Sequence, residues 1–198
     1  MSFVPLIEKV TVPEGTIGPW SVQRFEVTES EAKIGTLRSA FNGRGAITPG
    51  IYTQLRHQRR GLIMSDTPDE MRDHYPAVRH ARDHVLINGL GLGMVLATIL
   101  KKSDVARVTV IEISDDLIQL VGPHYMGDPR VEIVHADAFE YQPPRGARYG
   151  AVWHDIWDDL CGDNLEPMTR LKRKYGRRAD WQGCWGEDYI RHQLQRRR

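Results

Sequence analysis

The sequence predicts an α/β protein. An open, mostly parallel sheet carries helices on its faces and is preceded by a small β-rich region. Three observations predict this. From Thr67 to Trp153, short apolar runs of strand length alternate with helical stretches, a pattern that implies parallel strands joined by right-handed crossovers. A glycine-rich turn, Gly89-Leu-Gly91-Leu-Gly93, follows the first of those runs. Acidic residues stand just past the ends of successive runs, at Glu112, Asp137 and Asp155.

Size and composition set the limits. The 198 residues suit one domain, or one domain with a small appendage. With 40% hydrophobic and 27% charged residues the chain reads as globular. No apolar run approaches the roughly 20 residues of a membrane span. The longest, Val85 to Leu100, is interrupted by Asn88, three glycines and Thr98. The first residues, Met1 to Pro5, have neither a basic nor an apolar signal segment, so no secretory leader is expected. Cys161 and Cys184 are too few for a disulfide framework and lack CxxC spacing, so no metal site is expected. A reducing cytoplasm is the simplest compartment. The net charge of +1 hides an asymmetry: from Arg170 onward there are 10 Lys and Arg against 3 Asp and Glu. Such a basic segment reads either as a nucleic-acid contact or as a solvated terminal helix, residues 187–198.

The elements follow in order. Residues 1–66 form the β-rich region. Its turn signals are Pro13-Glu-Gly15, Gly18-Pro19, Asn42-Gly43 and Pro49-Gly50. Ile51, Thr53 and Leu55 alternate with Tyr52 and Gln54 as a strand does, and Leu62-Ile-Met64 is its partner. Residues 67–198 form the second region. Thr67-Pro68-Asp69-Glu70 predicts a capped helix running to about Arg79. Strands are expected at 84–88, 108–112, 131–134 and 151–153, with helices at 94–102 and 115–121, the latter capped by Ser114. Two more helices are expected, at 163–174 and 187–195.

The glycine turn lets the backbone bend tightly and lets a ligand approach without a Cβ clash. The helix that follows is expected to offer its free N–H groups to that ligand. Glu112 stands 19 residues after Gly93 at a strand end, where a carboxylate can accept both hydroxyls of a ribose. Asp137 can accept from an adenine amino group while Ala138 and Phe139 pack on the ring.

This order of Gly89-x-Gly91-x-Gly93, Glu112, Asp137-Ala138 and Asp155 resembles the class I S-adenosylmethionine-dependent methyltransferases, over about residues 70–159. The resemblance implies a Rossmann-like domain. It implies S-adenosylmethionine held at Asn88, Gly89, Gly91, Gly93, Glu112, Asp137 and Ala138. A closer resemblance is to the spermidine synthase branch, through Val108-Thr-Val-Ile-Glu112, Asp128-Pro-Arg-Val131, His135-Ala-Asp137-Ala-Phe-Glu-Tyr141 and Asp155-x-x-Asp158. That branch implies that Asp155 and Asp158 position and deprotonate an amine. The chain departs from both patterns. Gly91 stands where the polyamine enzymes carry an acid, and Asn88 where methyltransferases often do. After Trp153, 45 residues remain. They leave room for at most one further strand, so the sheet is expected to be shortened, with its edge covered by a second copy, by the N-terminal β region or by the tryptophans; a homodimer or higher oligomer is expected.

Trp153, Trp157, Trp181 and Trp185 read either as core or as an aromatic wall around a substrate. His154 reads either as a general base or as structural. His135 reads as packing. The expected function is methyl transfer from S-adenosylmethionine to a small-molecule acceptor, with Asp155, Asp158 and His154 as candidate catalytic residues. The alternatives are aminopropyl transfer to an amine and cofactor binding without catalysis. No membrane contact is expected.

Overall fold

The structure, a computed structural model, describes residues 4–42 and 47–196, apart from the side chains of 36–42. The turn expected at Asn42-Gly43 and the last two arginines therefore lie outside the described residues. Strands β1 (Gly15–Ile17), β2 (Trp20–Val27), β3 (Gly50–His57) and β4 (Gly61–Ser65) form an antiparallel sheet in chain order. Strands β5 (Asp83–Asn88), β6 (Val105–Glu112), β7 (Val131–His135), β8 (Tyr149–His154) and β9 (Ala179–Cys184) form a parallel sheet in the order β7-β6-β5-β8-β9. The chain starts in the centre of that sheet, builds one side through β6 and β7, then returns to build the other. This Rossmann-like plan places a crevice at the carboxyl ends where the direction reverses, beside β5.

β9 is the one further strand for which residues remained. Among the described residues no strand pairs with its outer edge. Both faces of the parallel sheet are covered, which accounts for its near-continuous apolar strands. Val85 and Ile87 enter the larger core, whereas Leu86 joins Val152, Leu171 and Tyr175 on the other face. The larger core also takes in Val12, Trp20, Val22 and Leu55, so the two sheets share one apolar interior.

Helices α2 (Pro68–His80), α3 (Met94–Ile99), α4 (Asp115–Val121), α5 (Leu165–Tyr175) and α6 (Glu187–Arg196) fall where expected, with α3 ending three residues early. The Ser114 hydroxyl caps α4 by accepting from Leu117 N. Helix α1 (Glu29–Asn42) was not expected within the β-rich region. Its start carries a capping box: the Thr28 N–H donates to Glu31 at 2.9 Å and Glu31 N donates to the Thr28 hydroxyl at 3.3 Å. The box expected at Thr67 and Glu70 does not form. The Thr67 hydroxyl is engaged with Ser65 Oγ, and Glu70 reaches past it to accept from Ser65 N at 2.8 Å and from Ser65 Oγ at 2.9 Å. The alternation in β3 is also less regular than expected, since Tyr52, Thr53 and Leu55 are all buried while Ile51 is exposed.

Candidate functional site

Parallel pairing aligns the strand ends. Asn88 lies opposite Ile111 and His154, and Glu112 opposite His135. The segments just past these ends, with a roof from the antiparallel sheet, enclose a cavity of about 240 Å³.

One half of the cavity is built on the glycine turn. Gly89 has φ +100°, and a Cβ there would run into the Asp155 carbonyl. Gly91 has φ +52°, and a Cβ there would strike the Met64 sulfur. Both positions need glycine for conformation and for space. Glu112 is 7% exposed and ties the turn together: Oε2 accepts from Leu90 N and Oε1 from Ser114 N, each at 2.9 Å. Each carboxylate oxygen keeps a second lone pair for a ligand hydroxyl. Asp137 Oδ1 accepts from Phe139 N at 2.7 Å, and Lys174 donates to the carbonyls of Ala138 and Phe139 at 3.0 and 2.8 Å. Ile113, Leu117, Ala138 and Phe139 give this half an apolar lining. Its apolar lining and its two carboxylates, Glu112 and Asp137, have the chemistry to take an adenosine.

The turn supplies shape more than donors. Gly89 N donates to Ile111 O, Leu90 N to Glu112, Leu92 N to Met64 Sδ and Gly93 N to Leu90 O. These N–H groups of the turn are therefore engaged within the protein.

The other half has an acidic floor. Glu70 and His74 are four residues apart on α2, hence on one face. They meet Asp155 there, with His74 Nδ1 3.7 Å from Asp155 Oδ2. Burial pushes the Asp155 carboxyl up to about 7, with the Glu112 and Asp73 charges adding to it. Burial likewise pushes Glu70 up to about 7, against the lowering effect of its Ser65 bonds. His74 is driven down to about 4 by burial. Trp20, Leu55, Ile63 and Met64 roof this half, and Trp157 and Trp185 wall it. At the rim Arg60 donates to Asp158 at 2.6 Å.

The structure thus brings Gly89, Gly91, Glu112, Asp137, Ala138, Asp155 and Asp158 to one cavity. It does not bring Asn88, Gly93 or His154 there. Asn88 and His154 point to the opposite face of the sheet, where the Asn88 amide donates to His154 Nδ1 at 2.7 Å. His154 is fully buried and held down at about 4 by that burial, so its reading as general base is corrected to a structural one. Gly93 makes room for the Tyr125 ring, whose hydroxyl donates to Leu92 O at 2.8 Å. His135 is exposed and bonded to Ile113 O rather than packed. The tryptophans divide: Trp153 and Trp181 stack in the core with centroids 6.2 Å apart, while Trp157 and Trp185 face the cavity. Sequence reasoning missed Glu70, His74, Trp20, Arg60 and Met64. The i, i+4 spacing of Glu70 and His74 was the one available signal.

Two relatives match the chain in sequence. Polyamine aminopropyltransferase 1 of Streptomyces coelicolor is 28% identical over 146 residues, covering 67% of this chain and 26% of the relative. The polyamine aminopropyltransferase of Oceanobacillus iheyensis is 27% identical over 130 residues, covering 58% and 24%. The chain is similar to polyamine aminopropyltransferases. It spans about a quarter of the length of these curated relatives. No protein-family model matches it. Solved structures that resemble it include the 23S rRNA methyltransferase ErmE, with TM-score 0.42, 21% identity and coverage of 56% of this chain and 41% of that one. They also include the N-methyltransferase NodS of Bradyrhizobium japonicum with S-adenosyl-l-homocysteine, with TM-score 0.42, 16% identity and coverage of 56% and 55%.

Proposed function

We propose that the cavity binds S-adenosylmethionine and that the chain transfers a group from it, most simply methyl, to a small-molecule nucleophile. The observation that carries this reading is the convergence of Gly89, Gly91, Glu112, Asp137 and Asp155 on one cavity at consecutive carboxyl ends of a parallel sheet. When bound, the sulfonium supplies an already activated carbon. The chain's task is to align a nucleophile, exclude water and take up a proton. Asp155 is placed for the first and last of these. It stands on the cavity floor directly after β8, and its raised carboxyl can exchange a proton near neutral pH. The aromatic and aliphatic roof excludes water. Asp158 is tied to Arg60, which leaves it less able to serve as the base.

Aminopropyl transfer to an amine is the second reading, favoured by the names of the two sequence relatives and by the acidic floor. Nucleic acid is a weaker candidate acceptor, because part of the basic segment is engaged within the protein. Lys172 and Arg191 pair with Glu187, and Lys174 and Arg178 bond backbone carbonyls. No helix among the described residues is long and apolar enough to cross a membrane. A cytoplasmic location belongs to the proposal, on the strength of two free cysteines. So does self-association, on the strength of the β9 edge; light scattering at the monomer mass of 22.7 kDa at every concentration would remove it. The test of the main reading is incubation with S-adenosylmethionine labelled in the methyl group and a panel of amines and small metabolites. Label transferred to an acceptor supports methyl transfer. In a parallel incubation with decarboxylated S-adenosylmethionine carrying the same methyl label, unlabelled aminopropylated amine formed together with labelled 5′-methylthioadenosine supports aminopropyl transfer.

A further inference from the structure

Five carboxylates line the cavity, Glu70, Glu112, Asp137, Asp155 and Asp158, and the last is paired from outside the parallel sheet. Glu112 and Asp137 are committed to the glycine turn and the following loop. Glu70 and Asp155 form the floor. Asp158 stands apart at the rim, 35% exposed, and Arg60 from the turn joining β3 to β4 donates to it at 2.6 Å. Arg60 is itself held in place, its guanidinium 4.8 Å over the ring of buried Trp20, which packs edge-on against His57. A guanidinium held on one side by a carboxylate and on the other by an indole is more fixed than an ordinary surface pair.

We propose that Arg60 is a specificity-determining residue: by neutralising Asp158 it leaves the floor as the one place in the cavity for a cationic acceptor group, so that the site takes a monoamine in preference to a diamine. This rests on the reading of the cavity as a sulfonium-dependent transfer site with an amine acceptor. A bare carboxylate at the rim would hold the second ammonium of a diamine whose first ammonium lay on the floor. With Arg60 in place the rim offers a neutral ion pair beside Trp20, Trp157 and Trp185, which suits an uncharged carbon chain. Leaving a second ammonium against that rim desolvates it without a free partner.

The experiment is calorimetric titration of the protein, saturated with 5′-methylthioadenosine, with 1-butylamine and with butane-1,4-diamine. The wild type should bind 1-butylamine at least about threefold tighter than butane-1,4-diamine. Arg60→Gln should bind the diamine about 10-fold tighter, the equivalent of about 1.4 kcal/mol, with butylamine unchanged. Arg60→Gln combined with Asp158→Asn should return the ratio to that of the wild type, and Arg60→Lys, which keeps the charge, should never leave it. A wild type that binds the diamine as tightly as butylamine, or tighter, overturns the inference, as does an Arg60→Gln protein whose diamine-to-butylamine ratio is unchanged. Nucleoside binding with no amine binding in any variant also overturns it, while leaving the cofactor reading intact. Absence of nucleoside binding defeats the cofactor reading and this inference together.

Discussion

One carboxylate oxygen of Glu112 accepts the Leu90 N–H at 2.9 Å, so the acid at the end of β6 is part of the glycine turn at the end of β5. The same side chain accepts from Ser114 N through its other oxygen. Glu112→Ala therefore removes a ligand partner and two internal bonds at once. Cofactor affinity should fall by about 1.5–3 kcal/mol, the worth of a hydrogen bond to a charged group, and the melting temperature of the ligand-free protein should fall as well. Glu112→Gln should recover most of the stability and little of the affinity. Titration calorimetry and thermal unfolding check both, and unchanged affinity in Glu112→Ala would remove Glu112 from the site.

Gly89 faces the Asp155 carbonyl at a φ of +100°. Gly89→Ala should cost about 1–3 kcal/mol in strain and displace the segment that carries Asp155. Turnover should then fall further than the loss of stability accounts for. Gly61→Ala makes a useful comparison, since its φ is +80° yet nothing lies within 4 Å of its added Cβ. It should cost stability alone. Equal turnover in the two variants would speak against the contact.

The pH dependence of binding should separate charged from neutral ligands. Burial holds Asp155 and Glu70 up at about 7, above their ordinary 3.8 and 4.5. The folded state keeps protons there that the unfolded chain has released, so these two acids make the fold less stable as pH rises from about 4 to 7. His74 and His154 work the other way. Held down at about 4 from an ordinary 6.5, they make the fold more stable as pH rises through that window. The opposed pairs should leave the melting temperature nearly level from pH 4.5 to 6.5. A sulfonium, by contrast, favours the ionised acids. S-adenosylmethionine should bind more tightly from pH 6 to 8 while uncharged 5′-methylthioadenosine shows little change. Parallel curves for the two ligands would show that the floor does not meet the sulfonium.

Asp155 and His154 are neighbours on opposite sides of β8. Asp155→Asn should preserve the fold and the affinity for uncharged 5′-methylthioadenosine and lower turnover by about 10²-fold or more, the scale of a lost acid–base group. His154→Gln should act mainly on stability, because it disturbs the buried contact with Asn88. Single-turnover rates and unfolding curves distinguish the two effects, and the opposite pattern would exchange the roles.

The fold was legible where the chain writes it locally. The strands from β5 to β8 are apolar runs, and the acids stand at their ends or within two residues of them, so Glu112, Asp137 and Asp155 could be placed without coordinates. Alternation along a strand separates His154 from Asp155. It was not applied to Asn88, which lies on the same face as His154 by the same rule. What the sequence did not disclose is what crosses from the antiparallel sheet. Trp20, Arg60 and Met64 are far from the glycine turn in sequence and reach the cavity only because the two sheets share a core. Glu70 was misread because a Glu three residues after a Thr is the usual cap, and here it bonds Ser65 instead. Helix α1 was missed although Thr28 and Glu31 form the box that Thr67 and Glu70 do not.

The most direct test of the account is titration calorimetry of the intact protein with S-adenosylhomocysteine and, separately, with NAD. S-adenosylhomocysteine should fill one saturable site, raise the melting temperature with its concentration, and bind at least about 10-fold more weakly to Glu112→Ala. No heat and no stabilisation at millimolar S-adenosylhomocysteine, with NAD binding in its place, would contradict it.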